Sequence, residues 1–159
     1  MPDPAATSEP AAELKSVQAI LQAASFAAEK HAAQRRKGAA AEPYVNHLLE
    51  VAHLVSTALS EPDTNLVIAA LLHDVIEDSG VTKDEVAERF GTDVADLVAE
   101  VTDDKALPKA ERKRLQIVNA PKKSVRAQVI KLAEQNLESP WHPGQPTHGF
   151  GFSAAAGVF

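Results

Sequence analysis

The chain has 159 residues, 45% apolar and 24% charged, with no cysteine and a net charge of −6 from 22 acidic and 16 basic residues. This balance excludes wholesale disorder, disulfides and thiolate chemistry, and it argues against non-specific nucleic-acid binding, which needs a basic surface. No apolar run reaches the ~18 residues of a membrane span, and MPDPAATSEP at the start lacks the regions of a secretory signal, so a cytoplasmic protein with no membrane partner is expected.

Residues 1–12 are Pro/Ala-rich and aperiodic and read as a disordered tail. From Leu14, apolar residues fall at helical spacing (Val17, Ile20, Leu21, Ala24, Ala27, Ala28), which predicts a first helix to about Gln34. Arg35 to Pro43 reads as a loop. A second helix starts near Tyr44 and carries Leu48, Val51, Val55 and Leu59 until Pro62 breaks it. The third, from Asp63 to Asp78, is apolar on nearly all sides and belongs in the middle of the domain, with Gly80 as its stop.

Thr82 and Glu85 form a capping-box signature for a short fourth helix ending at Phe90–Gly91. A fifth runs through Val101, a sixth from Pro108 to Asn119, and a seventh over about Ser124 to Leu137. No alternating run long enough for a strand pair is present. The expected fold is therefore all-α with about seven helices, over residues 13–138. Residues 139–159 hold Pro140, Pro143 and Pro146 among several glycines, which makes them a divergent tail.

The chemistry concentrates in Leu71-Leu72-His73-Asp74-Val75-Ile76-Glu77-Asp78. Four polar residues end the most hydrophobic helix, and a buried charge costs several kcal/mol unless it is paired or bound to a metal. On a helix His73 and Glu77 share one face, and Asp74 and Asp78 the next. Mixed nitrogen and oxygen donors suit Mn²⁺, Fe²⁺ or Zn²⁺. The alternative is a helix end that simply emerges into water.

His47 is one antiparallel helix pair away from His73, so the two can meet. His53 lies on another face and reads as a core or surface histidine. His31, near the end of the first helix, reads the same way. Gln34-Arg35-Arg36-Lys37 is either a solvated helix end or an anion clamp. Lys109, Arg112, Lys113 and Arg114 have the spacing of a solvated face.

HAAQRRK, PYVNH, AALLHDVIEDSGVTKDEV, LVAEVTDDKALPKAERKRLQ and KLA together resemble the HD-domain alarmone hydrolases, of the small stand-alone metazoan SpoT-homologue type, over roughly Ala19 to Ala133. The resemblance implies the helical HD fold, one Mn²⁺ and hydrolysis of the 3′-pyrophosphate of ppGpp or pppGpp, with NADPH as a further substrate. It implies His47, His73 and Asp74 as metal ligands, with Glu77 and Asp78 positioning or activating the attacking water. Arg36 and Lys37 fall in the nucleotide-contacting loop, and Lys105 is a phosphate contact. The oligomeric state stays open, a homodimer included.

The chain departs from that pattern late. The family has Lys-Leu-Ala-Asp with its Asp as the fourth ligand; here the position is Glu134, one methylene longer. The family's Asn four residues on is Glu138 here. Glu134, Glu138 and the tail support an alternative: a non-catalytic HD module that binds a nucleotide or a protein partner.

Overall fold

The computed structural model describes residues 9–138, and the tail over 139–159 lies outside them. Eight α-helices follow in chain order: α1 Glu9–Lys30, α2 Val45–Ala58, α3 Thr64–Leu71, α4 Val75–Ser79, α5 Lys83–Phe90, α6 Thr92–Val101, α7 Lys109–Asn119 and α8 Val125–Glu138. A 3₁₀ turn, Ala120–Lys122, links the last two. Among the described residues there is no strand, only an isolated antiparallel bridge between Arg35 and Pro43. None of these helices is long and apolar enough to cross a membrane.

α3 forms the centre and packs on α1, α2 and α6, while α8 closes against α2 and α6. Its Leu66, Ile68, Ala69, Ala70 and Leu71 are all buried, as the all-round apolar pattern requires. Leu48, Val51 and Val55 of α2, Val94 and Val98 of α6, and Ile130 of α8 are buried in the same core. Burying each such side chain contributes about 1.5–3 kcal/mol.

The helix ends follow from local chemistry. Asp63 caps α3, its Oδ1 accepting from the Leu66 N–H at 3.0 Å. Thr82 caps α5 in the manner its spacing to Glu85 predicts, accepting the Glu85 N–H at 3.1 Å. Gly80 ends α4 at φ 70°, a left-handed conformation that a side chain would strain.

Two expectations shift. The first helix starts at Glu9 and stops at Lys30, so residues 9–12 are helical rather than tail, and His31 to Ala33 form a turn. The stretch from 63 to 78 is two helices, α3 and α4, parted at Leu72–Asp74. Apolar periodicity runs unbroken through this point, and one side chain engages the backbone there. Ala70 O receives Nδ1 of His73 at 2.7 Å, an imidazole standing where a backbone N–H would continue the helix.

Candidate metal centre

α2 brings His47 into the core, and the break after α3 turns His73 and Asp74 toward it. All three are buried, at 2%, 1% and 7% exposure. The rings of His47 and His73 lie 5.5 Å apart, nearly edge to face. Each of the three residues offers one donor atom, and these atoms all lie within 4.8 Å of one another. The meeting expected from the helix pairing is present.

Polar atoms this deep are normally hydrogen-bonded. Nε2 of His47 and Nε2 of His73 have no hydrogen-bond partner among the described residues. The Ala70 carbonyl can only accept, so Nδ1 of His73 carries the hydrogen and the neutral ring leaves Nε2 as a lone pair. That Nε2 lies 3.0 Å from Oδ2 of Asp74 without the alignment of a hydrogen bond. Two orphaned imidazole nitrogens beside a buried carboxylate fit a divalent cation, which would complete all three.

The electrostatics favour a neutral His47 and an ionised Asp74. Burial lowers His47 to about 4, and His73 beside it adds to the effect, so this ring is neutral near pH 7. Burial opposes the charge on Asp74, but His73, Tyr44 and His47 outweigh it and hold the carboxyl well below the usual range. Asp74 in turn raises His73 against the effect of burial.

Around the donors stand the other expected residues. Glu77 is raised, first by burial and then by Asp74, Asp103 and Asp78. Asp78 accepts from Gln34 Nε2 at 2.9 Å and pairs with the Lys105 ammonium. Arg36 is half-buried and pairs with Glu50 at 3.0 Å, while Lys37 is exposed. Glu134 lies outside the three-donor cluster. Its carboxylate pairs with Lys131 at 3.1 Å, and Lys131 also approaches Asp103 at 3.5 Å. Glu138, on the last turn of α8, is exposed.

Three participants escaped sequence reasoning. Tyr44 donates its hydroxyl to Oδ2 of Asp74 at 2.5 Å. His31 is buried, with Nδ1 at 2.7 Å from Oε1 of Gln34. Arg112 turns inward, its Nε buried and a terminal nitrogen 3.9 Å from Glu77. Only Tyr44 left a signal, an aromatic one helical turn before a candidate ligand.

Comparison with known proteins places this geometry. A guanosine-3′,5′-bis(diphosphate) 3′-pyrophosphohydrolase of Xenopus tropicalis is 53% identical over 116 residues, covering 73% of this chain and 65% of that protein. Its Homo sapiens counterpart is 50% identical with the same coverage. The chain thus spans less than two thirds of the length of these curated relatives. A solved structure, described as a metazoan orthologue of SpoT that hydrolyses ppGpp and plays a role in starvation responses, superposes with a TM-score of 0.72 at 48% identity. The match covers 76% of this chain and 68% of that one. Residues 23–139 match the HD domain, a span that includes His47 and the His73-Asp74 pair, and the chain belongs to the HD domain family.

Proposed function

We propose that the chain is a Mn²⁺-dependent hydrolase that removes the 3′-pyrophosphate of ppGpp and pppGpp. The observation that carries this reading is the buried His47–His73–Asp74 donor cluster with Glu77 and Asp78 beside it, in a chain about half identical to proteins named for this reaction.

Water adds to the phosphorus on the ribose 3′ oxygen, and the bond from that phosphorus to the 3′ oxygen breaks. Pyrophosphate leaves with the water's oxygen, and the 3′ hydroxyl takes up a proton. A divalent cation held by His47, His73 and Asp74 supplies Lewis acidity and charge neutralisation. Glu77, poised above the usual carboxylate range, takes the proton from the attacking water. Asp78, fixed between Gln34 and Lys105, orients that water. Arg36 and Lys37 attract the polyphosphate, with Lys105 as a further cation near the acids. NADPH, which carries a ribose phosphate, is the second substrate to assay.

One observation favours a second reading. Glu134, at the position of the fourth ligand of the resemblance, is engaged by Lys131 instead. A module that binds nucleotide without turnover follows if three donors are too few. Pyrophosphate release from ppGpp, with Mn²⁺ added, decides between them. Turnover that His73→Ala and Asp74→Ala abolish supports the hydrolase. No release above blank, with ppGpp still bound in calorimetry, supports the module.

A further inference from the structure

The residues that hold the donor cluster in place come from an unexpected quarter, the neck of the loop between α1 and α2. Tyr44 N–H donates to Gln34 O at 3.0 Å and Arg36 N–H to Glu42 O at 2.9 Å, on either side of the Arg35–Pro43 bridge. Gln34 and Tyr44 therefore face one another across the neck. Each reaches one acid: Gln34 donates to Asp78 and Tyr44 to Asp74.

We propose that Tyr44 is a positioning residue of the metal centre, its hydroxyl fixing the Asp74 carboxylate that, with His47 and His73, receives the cation. This rests on reading those three residues as a metal site.

The Tyr44 hydroxyl is a rigid donor. Its backbone is tied to Gln34, and its ring is packed between His31 at 5.2 Å and His47 at 5.4 Å. The acceptor is buried, and it is the same Oδ2 that lies 3.0 Å from His73 Nε2. A buried carboxylate with a single fixed donor on that oxygen turns more freely once the donor is gone. Three donor atoms then no longer present themselves together. Outer hydrogen-bond partners of this kind typically alter metal affinity by about 10–100-fold. Tyr44 also stands three residues before His47, so one aromatic ring braces one ligand while its hydroxyl holds another.

The test is calorimetric titration of Mn²⁺ into the full chain, with folding checked by circular dichroism. Tyr44→Phe keeps the ring between His31 and His47 and removes only the donor. The expected result is about 10–100-fold weaker Mn²⁺ binding in Tyr44→Phe, with little further loss in Tyr44→Leu. Gln34→Met, which cuts the ties to Asp78 and His31 and leaves the Tyr44 hydroxyl on Asp74, keeps the wild-type affinity. Wild-type affinity in Tyr44→Phe, with loss only in Tyr44→Leu, shows that the ring merely packs and overturns the inference. Tyr44 is the single tyrosine of the chain, so the near-ultraviolet difference between wild type and Tyr44→Phe isolates its band from that of Trp141 and gives a second readout. A shift of that band on adding Mn²⁺ supports the inference, and an unmoved band overturns it. A wild-type chain that takes up no Mn²⁺ removes the metal site and the inference together. Tyr44-dependent Mn²⁺ binding without ppGpp turnover rejects the proposed reaction and leaves the inference standing.

Discussion

Arg126 of α8 grips Asp63, the cap of α3, through two parallel contacts of 2.8 and 2.9 Å. The same guanidinium reaches Asp93 at 2.9 and 3.0 Å, so one side chain ties α8 to the starts of α3 and α6. This fork is what fixes the helix that bears Glu134 against the two that line the core. It sets the first expectation. Arg126→Ala costs about 1–2 kcal/mol, since its partners keep partial contact with water. Asp63→Ala costs more, because the cap on Leu66 N–H goes with it. Denaturant melts of the two variants measure the difference.

Metal binding to the folded chain alone raises its stability. At a hundredfold excess over Kd the gain is about 2.7 kcal/mol, which raises the melting temperature by roughly 5–10 °C for a domain of this size. Chelator reverses the rise. In His47→Ala, which removes one of the three donors, adding Mn²⁺ shifts the melt little. Scanning calorimetry with and without Mn²⁺ provides the comparison.

Glu77 is the site of a stability–activity conflict. Folding raises its pKa above the ordinary 4.5, chiefly through burial. The neutral form is thus favoured by the fold, and the stability that Glu77 contributes is complete below about pH 4.5 and lost as pH rises through the raised value. Glu77→Gln stays neutral and avoids that loss. Its melting temperature exceeds wild type near pH 7 and converges with it near pH 4. On the proposed mechanism, hydrolysis of ppGpp falls by about 10²–10⁴-fold, because Glu77 is its proton acceptor. Melts across this pH range, with one rate measurement, test both halves.

On the proposed mechanism, Gln34 separates water handling from metal holding. Its amide donates to Asp78 and takes no part in the three-donor cluster. Gln34→Met therefore lowers kcat by about 10-fold while KM for ppGpp stays near wild type. Steady-state kinetics at saturating Mn²⁺ checks the split.

Much of this was legible in the order of residues. The capping chemistry of Thr82 and the stop at Gly80 marked helix ends correctly, and the spacing of His47 to His73 anticipated their meeting. Other features were hidden for physical reasons. At the break over Leu72–Asp74 a side chain takes a backbone acceptor, a contact that apolar periodicity does not register. His31 sits where a helix end favours a cation, so its burial against Tyr44 depends on the loop folding back. Arg112 has the spacing of a solvated face, yet the neighbouring acids turn it inward. For Glu134 the deciding contact, Lys131 three residues earlier, is visible in the sequence, but its strength depends on how deeply both sit.

The joint between α3 and α4 also constrains how this protein can change. A helix advances about 100° per residue, so gaining or losing one residue between Leu71 and Val75 rotates Glu77 and Asp78 out of phase with the imidazoles. Leu72, fully buried, accepts another aliphatic residue of similar volume at modest cost. The joint therefore tolerates a change of composition only at Leu72 and no change of length, and variant libraries should keep three residues there with His73 and Asp74 fixed.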